Sequence, residues 1–139
     1  MPAIALRSKQ CSCGRQCASH AMRCRACWRR AQLAPSRVKV LTPPAAAWVG
    51  AMIEGEGSIW PCPNVSNTEV ETIATLLRLV GDGCVSYSLP NKLGKRAVWR
   101  WQLYRKRSII ALLPQVIPYL TGKRALAQAL QEEVLRYYG

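Results

Sequence analysis

From position 44 onward the apolar residues change period along the chain, and each change marks an element. PAAAWVGAMIE, residues 44–54, opens on a proline, which a first helical turn tolerates. It pairs Trp48 with Met52 and Val49 with Ile53 four residues apart, so it predicts a helix closed by Gly55 and Gly57. Ala47, Gly50 and Ala51 form a strip on it with almost no side chain. Ser58 to Trp60 fits a short strand limited by Pro61 and Pro63. A second helix is expected over 69–80, with Ile73, Leu76, Leu77 and Val80 as its apolar face. Asn67 or Thr68 can cap it, Glu69 and Glu71 sit where the dipole favours acids, and Gly81, Asp82 and Gly83 stop it. CVSYSLP (84–90) and AVWRWQLYR (97–105) then alternate with period two on either side of a turn-rich NKLGKR, the pattern of a β-hairpin. In the second run Val98, Arg100, Gln102 and Tyr104 share one face; Trp99, Trp101, Leu103 and Arg105 share the other, and the tryptophan face is assigned to the core. Helical stretches at 108–113 and 115–120, interrupted by Pro114 and Pro118, lead to an amphipathic helix over about 122–138. The order helix, short strand, helix, hairpin, helix, helix predicts an α+β domain over residues 45–139.

The first 44 positions lack this periodicity. Residues 1–30 are rich in Cys and Arg, and 31–44 (AQLAPSRVKVLTPP) read as a linker punctuated by Pro35, Pro43 and Pro44. Of seven cysteines, five (Cys11, Cys13, Cys17, Cys24, Cys27) fall within seventeen residues. An odd, clustered set suits metal binding in a reducing, intracellular compartment better than a disulfide framework. Cys11 and Cys13, followed by glycine, and Cys24 and Cys27 are two close pairs that can fold around one tetrahedral Zn²⁺, with Cys17 or His20 as alternative ligands. Such a site builds a small knuckle and performs no chemistry; a redox pair is the weaker alternative. The apolar patch before Arg7 is too short for a secretory signal, and no run of about eighteen apolar residues spans a membrane.

Charge narrows the partner. Twenty Lys and Arg face seven Asp and Glu, a formal net charge of +13, and residues 1–44 contain no acid at all. That excess repels itself unless a polyanion neutralises it. Nucleic acid is the expected partner, ahead of anionic lipid. Arg25, Arg29 and Arg30 beside the cysteine pairs suit phosphate contacts.

Two acids are out of place. Glu54 and Glu56 lie at the C-terminal end of the predicted helix, where the dipole disfavours carboxylates by about 0.3–1 kcal/mol each. Two solvated glutamates in a glycine-rich turn would account for them; so would a hard divalent cation such as Mg²⁺. The strip Ala47, Gly50, Ala51 favours the cation, because small residues let two helix backbones approach closely. Two copies crossing there would bring their acidic ends together, as a two-metal phosphodiesterase site requires.

WVGAMIEGEGSI resembles the LAGLIDADG motif of homing endonucleases, with Val49 to Gly57 on its nine positions. VSNTEVETIATLLRLVGDG and AVWRWQLYRKRSIIALLPQVIPYLTGKRALAQAL resemble later segments of the same family, so the likeness covers about residues 45–135. The resemblance implies a LAGLIDADG-like α+β domain, a homodimer through the helix at 44–54, a pseudo-palindromic double-stranded DNA target and cleavage with 3′ overhangs, in the service of a mobile intron. It makes Glu56 the Mg²⁺-binding acid and Glu54 its helper. Asn67 becomes the polar residue that orders water, Lys123 the cation beside the reacting water, and Arg124 a second cation. On the hairpin, Arg100, Gln102 and Tyr104 become base readers and Lys92, Lys95 and Arg96 phosphate contacts. The cysteine pairs resemble zinc knuckles of mobile-element nucleases. The only histidine is His20, which argues against a His-based nuclease. One departure stands out: only SIWPCPNVS separates Gly57 from Asn67, so the family's first hairpin is expected to be shortened or missing. The alternative reading is a non-catalytic DNA-binding regulator or an RNA maturase on the same fold.

Overall fold

The computed structural model describes residues 9–10, 16–17, 25–89 and 96–138. The chain divides into two units, Met1–Ala34 and Pro35–Gly139. In the first, strand β1 (Lys9–Gln10) pairs antiparallel with β2 (Gln16–Cys17), and helix α1 spans Arg25–Gln32.

The second unit begins with helix α2 (Pro43–Glu56), whose start is fixed by Thr42: its hydroxyl accepts from the Ala45 N–H at 3.3 Å. Strands β3 (Gly57–Ser58) and β4 (Asn64–Asn67) follow, then helix α3 (Val70–Val80), the hairpin strands β5 (Cys84–Ser88) and β6 (Val98–Gln102), helix α4 (Lys106–Val116), a 3₁₀ turn (Ile117–Tyr119) and helix α5 (Arg124–Tyr138). The four strands form one antiparallel sheet in the order β3-β4-β6-β5. One sheet face and the helices enclose a core of Val49, Ile53, Val65, Ile73, Leu76, Trp101, Leu103, Ile109, Leu112, Leu113 and Leu130.

The architecture is the α+β arrangement expected, and the differences have local causes. The first hairpin is shortened but present: β3 contributes only Gly57 and Ser58, opposite Val65 and Asn64. α2 continues through Gly55 to Glu56, so both acids belong to its last turn. α4 runs through Pro114, which is exposed. Proline costs a helix interior roughly 3 kcal/mol, and the burial of Leu112, Leu113 and Val116 around it offsets that. Neither Asn67 nor Thr68 occupies the cap of α3: Glu69 does, and the Asn67 Oδ1 accepts from the Glu69 N–H at 2.9 Å.

The expected linker is not free beyond Ala34. The Arg37 N–H donates to Asp82 Oδ2 (3.3 Å) and the Lys39 N–H to the Val80 carbonyl (2.8 Å). Gln115 holds the same strap from both sides: its Oε1 accepts from the Leu41 N–H (2.7 Å) and its Nε2 donates to the Lys39 carbonyl (3.1 Å). Val38 and Leu41 pack against the core. These partners are 41 to 76 residues away in sequence, beyond any local pattern.

Candidate active site

The last turn of a helix leaves its carbonyls without partners. At the end of α2 the Ile53 carbonyl accepts from the Gly57 N–H, and Lys123 adds donors: its Nζ donates to the carbonyls of Ile53 (2.9 Å), Glu54 (2.7 Å) and Gly57 (2.7 Å). A cation there also opposes the negative end of the helix dipole. All three N–H bonds of the ammonium group are thereby used. Lys123 caps α2 in this structure.

Glu54 returns the contact. Its carboxylate accepts from the Thr121 N–H (3.1 Å) and the Lys123 N–H (3.2 Å to each oxygen), in the turn that enters α5. Burial works against its ionisation, but the N–H donors of Thr121, Lys123 and Gly122 outweigh it and hold the carboxyl below its ordinary range. The misplaced acid at position 54 therefore needs no cation; the backbone of 121–123 compensates it.

Glu56 is different. It is exposed, and its carboxylate has no hydrogen bond or ion pair among the described residues. The next residue must be small: a Cβ on Gly57 would collide with the Asn64 carbonyl and press on Ile53 Cα and Val65 Cγ2 at 3.0 Å. That close approach of helix end to sheet edge places Glu56 where α2 meets β3. Asn67 closes β4 nearby in sequence, half-buried, and no hydrogen bond links it to Glu54, Glu56 or Lys123. Arg124 donates to the Pro118 carbonyl at 3.2 Å.

The strip Ala47, Gly50, Ala51 is split. Gly50 is buried against its own chain, where a Cβ would stand 3.0 Å from Tyr119 Cβ. Ala51 is exposed, Ala47 half-buried, and a Cβ on Gly55 would meet nothing within 4 Å. The open small-residue line on α2 is therefore Ala47, Ala51, Gly55.

Strand register sorts the sheet. Ser66, Arg100 and Ser86 lie in one row, Asn64, Gln102 and Cys84 in the next, all on the face away from the core side chains Val65 and Trp101. Arg100 is exposed and donates from Nε to Ser66 Oγ at 3.1 Å. Gln102 is half-buried, its Nε2 donating to Cys62 Sγ at 3.1 Å. Tyr104 does not join this face: β6 ends at Gln102, and Tyr104 packs against the core. Asn64 and Ser66 do join it, and were missed; the alternation in NVSN was their signal. Arg96 is exposed, while Lys92 and Lys95 lie outside the described residues.

In the first unit Arg25, Arg29 and Arg30 are exposed on α1. Arg30 donates from Nη2 to Cys27 Sγ at 3.7 Å. Cys11, Cys13, Cys24 and His20 lie outside the described residues, and of Cys17 only its place in β2 is described. Among the described residues no group of three or more His, Cys, Asp or Glu is gathered for a metal, and no helix is long and apolar enough to cross a membrane.

No family model and no curated protein matches the chain. Solved structures do. The crystal structure of the homing endonuclease I-CvuI in complex with its target, in the presence of 2 mM calcium, superposes with a TM-score of 0.53 over 68% of each chain at 15% identity. The fold is that of a LAGLIDADG homing endonuclease. A second I-CvuI complex, with uncleaved DNA in the presence of 2 mM magnesium, gives a TM-score of 0.49 over 65% of each chain at 18% identity. α2 carries the segment whose sequence resembles the LAGLIDADG motif, and its two acids differ: Glu54 takes N–H donors from its own chain, and Glu56 is exposed with none. A lone carboxylate at an exposed helix end is the hard oxygen donor that Mg²⁺ takes alongside water and phosphate. One chain supplies one such acid.

Proposed function

We propose that the protein is a metal-dependent endonuclease of double-stranded DNA that acts as a homodimer. The observation that carries this reading is the bare Glu56 carboxylate on a helix that resembles the LAGLIDADG motif, beside Glu54, whose carboxylate has backbone donors. Glu56 is the residue that would hold the divalent ion, and a second copy would bring a second Glu56 to it across the line Ala47, Ala51, Gly55. When bound, the ion supplies a water of lowered pKa and positive charge against the phosphate. The Asn67 side-chain oxygen accepts from the Glu69 N–H; its amide nitrogen is available to order water.

DNA recognition is assigned to the outward sheet face. Arg100 pairs bidentately with guanine and Gln102 with adenine in a major groove, with Asn64 and Ser66 beside them. Arg96, Lys92 and Lys95 serve phosphates. With β3 only two residues long, most of the reading surface falls on the β5–β6 hairpin. The N-terminal unit adds Arg25, Arg29 and Arg30, around a Zn²⁺ held by Cys11, Cys13, Cys24 and Cys27. A net charge of +13 calls for binding that weakens steeply with salt.

Glu56→Gln tests the reading. A duplex selected from a random library by the native protein should be cleaved in Mg²⁺ by the native chain and left whole by the variant, which still binds it. Cleavage that survives in the variant rejects the proposal. Native protein that binds the duplex without cleaving it supports a regulator, and preference for a structured intron RNA supports a maturase.

A further inference from the structure

Lys123 and Glu54 form a reciprocal clamp. The side chain of each satisfies the backbone of the other's segment: Lys123 Nζ takes three carbonyls of the α2 end, and the Glu54 carboxylate takes the N–H groups of the turn at 121–123. The clamp closes directly around the residue that matters, because the captured carbonyls at 53, 54 and 57 bracket Glu56 on both sides. Residues 69 positions apart in sequence are thus locked together at the last turn of α2. The last turn of a helix otherwise frays, since its carbonyls have no internal partner.

We propose that Lys123 is a positioning residue: it fixes the end of α2, and thereby the direction in which Glu56 presents its carboxylate to a divalent cation, and it takes no part in the chemistry at phosphorus. This rests on Glu56 being the metal acid. The argument is one of saturation. A primary ammonium has three donors and no acceptor, and all three are held at 2.7–2.9 Å by carbonyl oxygens. To polarise a water, the group would have to abandon a carbonyl at the negative end of a helix dipole. A metal ligand that is an exposed side chain on a frayed turn binds weakly, since its site must be ordered on every binding event; groups that hold a ligand in place are worth roughly 10–100-fold in metal affinity.

The test compares the native chain with Lys123→Met and Lys123→Gln, both on the selected duplex. Three quantities are read: Mn²⁺ bound to the complex by electron paramagnetic resonance, hydrogen exchange of the amides of residues 54–57, and the pH profile of cleavage at saturating Mn²⁺. Positioning predicts Mn²⁺ affinity at least tenfold weaker and exchange at least tenfold faster in Lys123→Met. It also predicts cleavage recovered to within a few-fold by excess Mn²⁺, with an unshifted pH profile. Lys123→Gln, which keeps two N–H donors, should fall between. Unchanged Mn²⁺ affinity and exchange, with cleavage lost at every Mn²⁺ concentration or with a shifted pH profile, overturns the proposal and gives Lys123 to the chemistry. Should native protein bind no Mn²⁺, the nuclease reading fails, and the exchange measurement alone decides whether Lys123 holds the end of α2. Should Lys123→Met fail to fold, the graded loss in Lys123→Gln carries the same decision.

Discussion

Two corners of the sheet each present acid to backbone, and they end differently. At the α3–β5 corner, Asp82 is 8% exposed and every donor it needs comes from the fold: the Ser108 hydroxyl, the Arg37 N–H and the Gly83 N–H. Its carbonyl accepts from Trp101 Nε1 at 2.9 Å. Burial raises its carboxyl pKa, and those donors, with the charge of Arg105, bring it below the ordinary aspartate range. Strap, strand and helix α4 meet on one side chain. At the α2–β3 corner the fold does the same for Glu54 and then stops, giving Glu56 nothing. A carboxylate supplied with donors from its own chain is a joint. One left unsupplied at a helix end that disfavours it is the place proposed for an external cation.

The contrast breaks most sharply under Asp82→Ala. The variant strands two backbone N–H groups and a hydroxyl in a buried place, and should lose about 3 kcal/mol in urea unfolding, at 1–3 kcal/mol for each unsatisfied group with partial relaxation. The acid limb of stability carries the sign. The folded pKa of Asp82 lies below its unfolded value of 3.8. Its contribution is therefore complete above that value and is lost as pH falls toward the folded one. Asp82→Ala should flatten the stability profile below about pH 4 relative to the native chain. A native profile that is already flat there would remove Asp82 as a joint.

Glu56→Gln is the opposite case. Cleavage should fall by at least about a hundredfold, the upper end of what even an outer partner of a metal contributes. The unfolding free energy in urea should change by no more than about 0.5 kcal/mol, as for an exposed residue without partners. A loss of stability comparable with that of Asp82→Ala would show that Glu56 is also a joint, and the distinction between the corners would disappear.

Period and punctuation made most of the fold legible. Trp48, Met52, Val49 and Ile53 marked α2; the alternation around Trp101 marked β6 and its buried face; WVGAMIEGEGSI carried the likeness to the LAGLIDADG fold. What escaped was everything held by long-range polar contacts. Arg37 to Leu41 looked like a linker because Asp82 and Gln115, its partners, lie 45 and 74 residues away. Tyr104 looked like a reader because alternation does not announce where a strand ends; Leu103 N–H bonding to the Pro63 carbonyl begins the departure. Glu54 and Glu56 looked equivalent because the helix dipole treats them alike, and only the folded turn at 121–123 separates them. Gly50 looked like part of a docking strip because size is visible in sequence and direction is not.

The smallest effects test the same corner through its two glycines. Gly57 has an extended backbone, φ −121°, that any residue adopts, so the requirement for glycine there is purely one of space. A methyl group would push Asn64 away and open the two-residue β3–β4 pair, a cost of about 2 kcal/mol by the measure of overpacked sites. Gly55 sits inside α2 with open space where its Cβ would be. Gly55→Ala should stabilise the separate chain by about 0.5 kcal/mol, somewhat less than the full difference in helix propensity because the position is close to the helix end. The same methyl group lies on the line with Ala47 and Ala51 that is assigned to a second copy. The thermal midpoint of Gly55→Ala should therefore exceed that of the native chain in dilute solution and fall below it at high concentration, where the proposed native dimer would gain from closer helix contact. A variant that is more stable at every concentration would leave the helix gain intact and remove the second copy from α2.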